Sequence, residues 1–139
     1  MSDIDLLGLE PHPEGGHFRQ TWASPECVTL PDGRVRPTAT LIYFHLAAGE
    51  SSAWHRVSSD EVWLAHTGAV TLEYGGNGAF PEPDRTVTVG VDHSAGEQAQ
   101  AVVPAGVWQR TVPGAADALV SCLVSPGFDF DDFELAGEA

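Results

Sequence analysis

The chain has 139 residues, 42% of them apolar, with six arginines, no lysine, 20 acidic side chains and a net charge of −14. That length fits one domain, residues 1–139, with enough apolar content for a core, and no apolar run approaches the ~18 residues of a membrane span. The acidic balance excludes a nucleic-acid backbone or an anionic membrane surface as partner, and the lack of lysine excludes Schiff-base chemistry.

The first five residues carry neither the basic nor the apolar region of a secretory leader, so the expected location is cytoplasmic. A short helix is predicted over about residues 2–8: Ser2 can cap it, Asp5 follows three residues on, and Gly8 can end it. Pro11-His-Pro-Glu-Gly-Gly16 reads as a rigid turn, because proline fixes φ and glycine permits positive φ. Its His12, and His17 beyond it, read as structural or exposed residues.

From 17 to about 125 the signals are those of strands, at 17–22, 38–46, 53–57, 61–67, 70–74, 85–91, 100–103, 109–112 and 118–124. Glycine and proline turns separate them, which is the pattern of a sandwich or barrel. Residues 75–84 form the longest irregular stretch and the expected flap over a pocket mouth. His93 reads as a turn residue in solvent. In the tail, 126–139, Phe128, Phe130 and Phe133 are expected to pack on the barrel while Asp129, Asp131, Asp132 and Glu134 stay solvated. Cys27 and Cys122 form no C-x-x-C pair and read as reduced thiols.

The most informative stretch is Gly49 to Gly68, spaced G-x5-H-x-V-x3-E-x6-G, with His55, Val57 and Glu61 at its marked positions. It resembles the first cupin motif with one ligand histidine replaced by Val57. Pro104-Ala-Gly106-Val-Trp-Gln109 resembles the second motif with Gln109 in place of histidine. Pro11 to Gly16, Phe18-Arg19, Leu41 to Phe44, Asp60 to Trp63, Val103 to Gln109, Pro126 to Phe130 and Phe133 to Leu135 extend the likeness along the chain. Together these blocks resemble the cupin-5 (DUF985) family. The resemblance implies an all-β, double-stranded β-helix (an RmlC-like jelly roll), packed as a homodimer, and a small-molecule substrate is expected inside the barrel.

A full cupin metal site has three histidines and a glutamate. Here only His55, Glu61 and the neutral amide of Gln109 stand at ligand positions, short of the three good ligands a catalytic metal needs. No cofactor is therefore favoured, and a divalent ion (Fe, Zn, Mn or Ni) at low occupancy is the alternative. Without a metal the chemistry expected is acid–base catalysis of a dehydratase, epimerase or isomerase type on a polar sugar-, nucleoside- or keto-acid-like substrate. His55 would carry the proton and Glu61 would orient it. Tyr43 and His45 share one strand face and are candidates for the second donor, although Ile42 and Phe44 could equally be the inward pair. Arg19 can grip an anion, Trp63 offers a stacking wall, and Gln109 can bind a carbonyl. His66 joins the site only if a bulge turns it inward. Arg56 should face away from His55 and support a loop or the dimer, and Trp22, Trp54 and Trp108 read as core or interface residues. A metal-dependent dioxygenase or isomerase, and a barrel that binds without catalysis, are the other readings.

Overall fold

A computed structural model describes residues 2–137. One helical turn, α1 (Asp3–Leu7), opens the chain; the Ser2 hydroxyl accepts the Asp5 amide at its start, and Gly8 at φ 66° closes it. The strands that follow are β1 (Glu10–Pro11), β2 (His17–Ala23), β3 (Cys27–Thr29), β4 (Val35–Pro37), β5 (Thr40–Leu46) and β6 (His55–Val57). After them come β7 (Asp60–Thr67), β8 (Val70–Tyr74), β9 (Arg85–Val89), β10 (Gln100–Val103), β11 (Gln109–Val112), β12 (Ala118–Ser125) and β13 (Phe133–Leu135).

They pair in a six-stranded sheet, β1-β2-β5-β12-β7-β10, a five-stranded sheet, β13-β6-β11-β8-β9, and the hairpin β3-β4. Every pairing within these sheets is antiparallel. The two large sheets enclose Phe44, Trp63, Leu72, Val89, Val103 and Val120, each almost fully buried. This is the all-β jelly roll expected from the sequence.

The predicted strands lie where expected to within about two residues. The sequence reading omitted β1, the β3-β4 hairpin around Pro31-Asp-Gly33, and β13. The last omission matters most. The tail does not simply lie against the barrel: β13 adds itself to the five-stranded sheet, pairing Phe133 with Val57 and Leu135 with His55. Its acids are not all solvated either. Asp132 accepts from Arg34 at 2.7 Å and from Arg36 at 3.1 Å, pinning the tail to β4.

Alternation of side chains along a strand decides which residues face the interior. On β5, Thr40 and Ile42 line a cavity and Phe44 is in the core, so Leu41, Tyr43 and His45 take the outer face. The register across the six-stranded sheet then aligns Trp22, Leu41, Leu123, Val62 and Val102 in one apolar row on that face. The ends of the row, Trp22 and Val102, are 47% and 51% exposed.

Candidate functional site

The site begins with the turn between β1 and β2. The amide of Gly15 donates to the His12 carbonyl, the amide of His12 donates to the Gly16 carbonyl, and the Glu14 amide donates to His12 Nδ1 at 3.1 Å. Gly15 and Gly16 hold φ of 110° and 74°, a region that favours glycine. A Cβ on Gly16 would meet the His45 carbonyl oxygen at 2.7 Å and Phe44 at 3.0 Å. The turn is therefore pressed onto β5, and its far side is tied to the segment before β6 by the Ala53 amide, which donates to the Glu14 carbonyl at 2.7 Å. The result is a buried Glu14 carboxylate aimed at His55. Gly16→Ala should cost about 1–3 kcal/mol through backbone strain alone and displace Glu14. Urea denaturation checks this, and unchanged stability would contradict the packing described.

His55, 2% exposed, is bonded at both ring nitrogens. Nδ1 lies 2.8 Å from the Ala53 carbonyl oxygen, which can only accept, so Nδ1 carries a proton. Nε2 lies 2.6 Å from Glu14 Oε2. Burial on its own would lower the His55 pKa. The charge and hydrogen bond of Glu14, with smaller help from Glu61 and the Ala53 carbonyl, outweigh burial and raise it to about 9. At neutral pH His55 is thus an imidazolium. Phe133 stacks against the ring at 5.5 Å between centroids.

Two further titratable groups flank this pair. Burial pulls the His12 pKa down, against the charge of Glu14, so His12 is neutral. Because its Nδ1 accepts the Glu14 amide, its proton sits on Nε2, which makes no hydrogen bond among the described residues. Burial is the main cause of a raised Glu61 pKa, with Glu14 adding to it, while His55 and Gln109 oppose it. Behind Glu61, burial and the same carboxyl push the Cys122 thiol well up, so it is no nucleophile.

These groups open onto a cavity of about 310 Å³. Its polar wall is His12, Glu14, Gln20, Thr40, His55, Glu61 and Asp129. The rest is apolar: Phe18, Ile42, Val57 and Val124 from the strands, with Phe128, Phe130 and Phe133 from the tail.

Residues 2–136 match the model of the family described as the cupin superfamily (DUF985), Cupin_5. The chain belongs to the cupin-5 family. It is similar to protein SO0799 from Shewanella oneidensis, at 39% identity and TM-score 0.82, covering 95% of this chain and 80% of that one. A hypothetical protein from Leishmania major gives 36% identity and TM-score 0.83 over 94% and 83% of the two chains. The uncharacterized protein YML079W from Saccharomyces cerevisiae is 29% identical, covering 87% of this chain and 67% of its own length.

A metal held in the usual cupin manner does not fit the donors of this cupin-5 chain. Both nitrogens of His55 are committed to other partners. Gln109 donates its amide to Glu61 Oε1 at 2.8 Å and accepts Trp63 Nε1 at 2.9 Å through its oxygen, so both ends of its amide are already engaged. Among the described residues no cluster of three His, Cys, Asp or Glu side chains could hold an ion.

Of the residues singled out from sequence, the structure brings only His55 and Glu61 to the cavity. Gln109 and Trp63, 0% and 1% exposed, lie behind Glu61 and hold it in place rather than contacting a guest. Tyr43, His45, Arg19 and His66 belong to the outer face of the six-stranded sheet. Arg19 donates to the Leu7 carbonyl and holds α1. His66 bonds Ser121 at 2.6 Å and meets the Tyr43 ring edge-on; the bulge near it does not turn it inward. Nor does the 75–84 loop cover this cavity. It is tied elsewhere, with Arg56 and Trp108 both donating to the Gly78 carbonyl at 3.0 Å.

The sequence reading passed over Glu14 and His12 as site residues. Their signal was present: an acid and a histidine set in a turn stiffened by Pro11 and Pro13 and closed by two glycines. Such a turn fixes side-chain direction more tightly than an ordinary loop.

Proposed function

We propose that this cupin-5 protein is an enzyme that moves protons on a small carbonyl compound without a metal, by enolisation leading to isomerisation or elimination. The observation that carries the reading is the 2.6 Å contact between His55 Nε2 and Glu14 Oε2 at the wall of a cavity sized for a small molecule. A carboxylate beside an imidazolium is a base with a proton donor next to it. Glu14 takes the proton from the carbon next to the carbonyl. His55, whose Nε2 lies 2.6 Å from Oε2, donates to that carboxylate and supplies a proton for return. His12, neutral and carrying its proton on Nε2, is a donor for the oxygen on which negative charge develops.

The test is solvent exchange. Small ketones and aldehydes incubated with the protein in deuterium oxide should gain deuterium at the α-carbon, followed by proton NMR. Exchange should persist after exhaustive chelation and should not rise on adding zinc, iron, manganese or nickel. Activity that vanishes with chelator and returns with one metal would overturn the metal-free reading. Binding without exchange would favour a barrel that only holds its ligand.

We also propose that the apolar row Trp22, Leu41, Leu123, Val62 and Val102 pairs with its copy in a homodimer. An apolar stripe across a whole sheet face is unusual on a monomer. Light scattering should give twice the chain mass, and Leu123→Glu should give the single-chain mass. A monomeric wild type would dismiss the proposal.

A further inference from the structure

Resting on the acid–base reading above, we infer that the cavity takes an uncharged ketone or aldehyde with an apolar, ring-sized body, and rejects the same skeleton once it carries a carboxylate or phosphate. The placement of the cations points to this. The chain has six arginines and no lysine, and each arginine is engaged by other groups of the protein, Arg36 lying 3.7 Å from Asp129 of the cavity wall. Arg19 bonds the Leu7 carbonyl, Arg34 and Arg36 bond Asp132, Arg56 bonds Glu134, Arg85 lies over Tyr74, and Arg110 bonds Glu73. No arginine contributes to the cavity wall, while Glu14, Glu61 and Asp129 do. The single cation there, His55, already has its charge matched by Glu14 at 2.6 Å. An anionic guest would lose its hydration, meet carboxylates and find no free cation, which is unfavourable on every count.

A cationic guest is no better placed. Glu14 is matched by His55, and Asp129 lies 3.7 Å from Arg36. Burial favours the neutral form of Glu61. No carboxylate in the wall is left wanting a counter-charge. What remains is an apolar surface of four phenylalanines and three branched aliphatic side chains, with one cluster of proton carriers at its side and Gln20 and Thr40 as the uncharged polar groups. That arrangement fits a guest with an apolar body and a single polar function, at the small end of the ~300–1,000 Å³ range of ligand sites. The sugar, nucleoside and keto-acid substrates suggested by sequence carry either many hydroxyls or a carboxylate and find few partners here.

The experiment uses the intact protein and three probes that share a benzyl group: phenylacetone, phenylpyruvate and 2-phenylethylamine. Binding is measured by calorimetry at pH 7. Phenylacetone should bind at least tenfold more tightly than either charged probe. Ile42→Trp, which fills the cavity, should remove that binding. Should the variant fail to fold, nuclear Overhauser contacts from phenylacetone to the Phe128 and Phe133 rings locate it in the wild type. Equal or tighter binding of phenylpyruvate or of the amine overturns the inference, and so does binding of none of the three. Phenylacetone bound in the cavity without α-deuterium exchange supports this inference while defeating the catalytic reading, so the two fail separately.

Discussion

Replacing His55 with glutamine should reduce turnover by about 10²- to 10⁴-fold, the usual contribution of a positioned proton carrier. Glutamine keeps one N–H that can donate to Glu14, so the loss isolates the charge and the titratable proton rather than the hydrogen bond alone. The variant is also expected to lose stability, since removing one partner of a buried ion pair leaves the other uncompensated, typically at a cost of 3–5 kcal/mol. A circular dichroism spectrum matching wild type establishes that the barrel persists, and rates measured below the variant's unfolding temperature then report on chemistry. A second variant separates the roles. Glu61→Gln should retain the bond to Gln109 and most of the activity, because Glu61 holds the floor of the cavity and does not bond His55. Full turnover by His55→Gln would remove the imidazole from the mechanism.

The barrel was legible because its information is local and repeated. Period-two alternation and turn glycines recur strand after strand, and the single spacing between His55 and Glu61 names the kind of barrel. What stayed hidden was the partner of His55. The motif spacing pointed to Glu61 on the neighbouring sequence, yet Gln109 claims Glu61 at 2.8 Å while Glu14, forty-one positions before His55, fills the place beside the ring. Nothing in strand periodicity reports where a turn lands on the opposite sheet. Likewise the parity of β5 was decided by packing: Phe44 is drawn into the core against Trp63, which sends Tyr43 and His45 outward. The aromatic tail was expected against the barrel but not as part of the cavity wall, because its strand is three residues long and too short to show a strand period.

Glu14→Gln should lower the His55 pKa from about 9 to below the ordinary 6.5 and reverse the pH dependence of stability that the pair creates. In the wild type, burial pulls this pKa down and Glu14 supplies the two largest opposing contributions, its charge and its hydrogen bond. With those removed, burial prevails. A histidine whose pKa is raised on folding stabilises fully below its unfolded value of 6.5, and that stability is lost as pH rises through about 9. The magnitude at stake is roughly 3 kcal/mol. Glu61, whose carboxyl is also raised, contributes a decline of the same sign that begins lower, above 4.5. The wild-type melting temperature should therefore fall between pH 6.5 and 9.5. Glu14→Gln should be less stable at pH 6.5 and show no such fall, because its neutral His55 no longer has a proton to lose. Proton NMR of the histidine Cε1–H signals, with His55 assigned by its loss in His55→Gln, gives the pKa directly. Catalysis should follow the same titration, with kcat in the wild type declining above an apparent pKa near 9 that belongs to the pair and not to either residue. A His55 that titrates alike in wild type and Glu14→Gln would show that the two side chains do not share a proton in solution, and the base proposed for this cavity would have to be sought elsewhere.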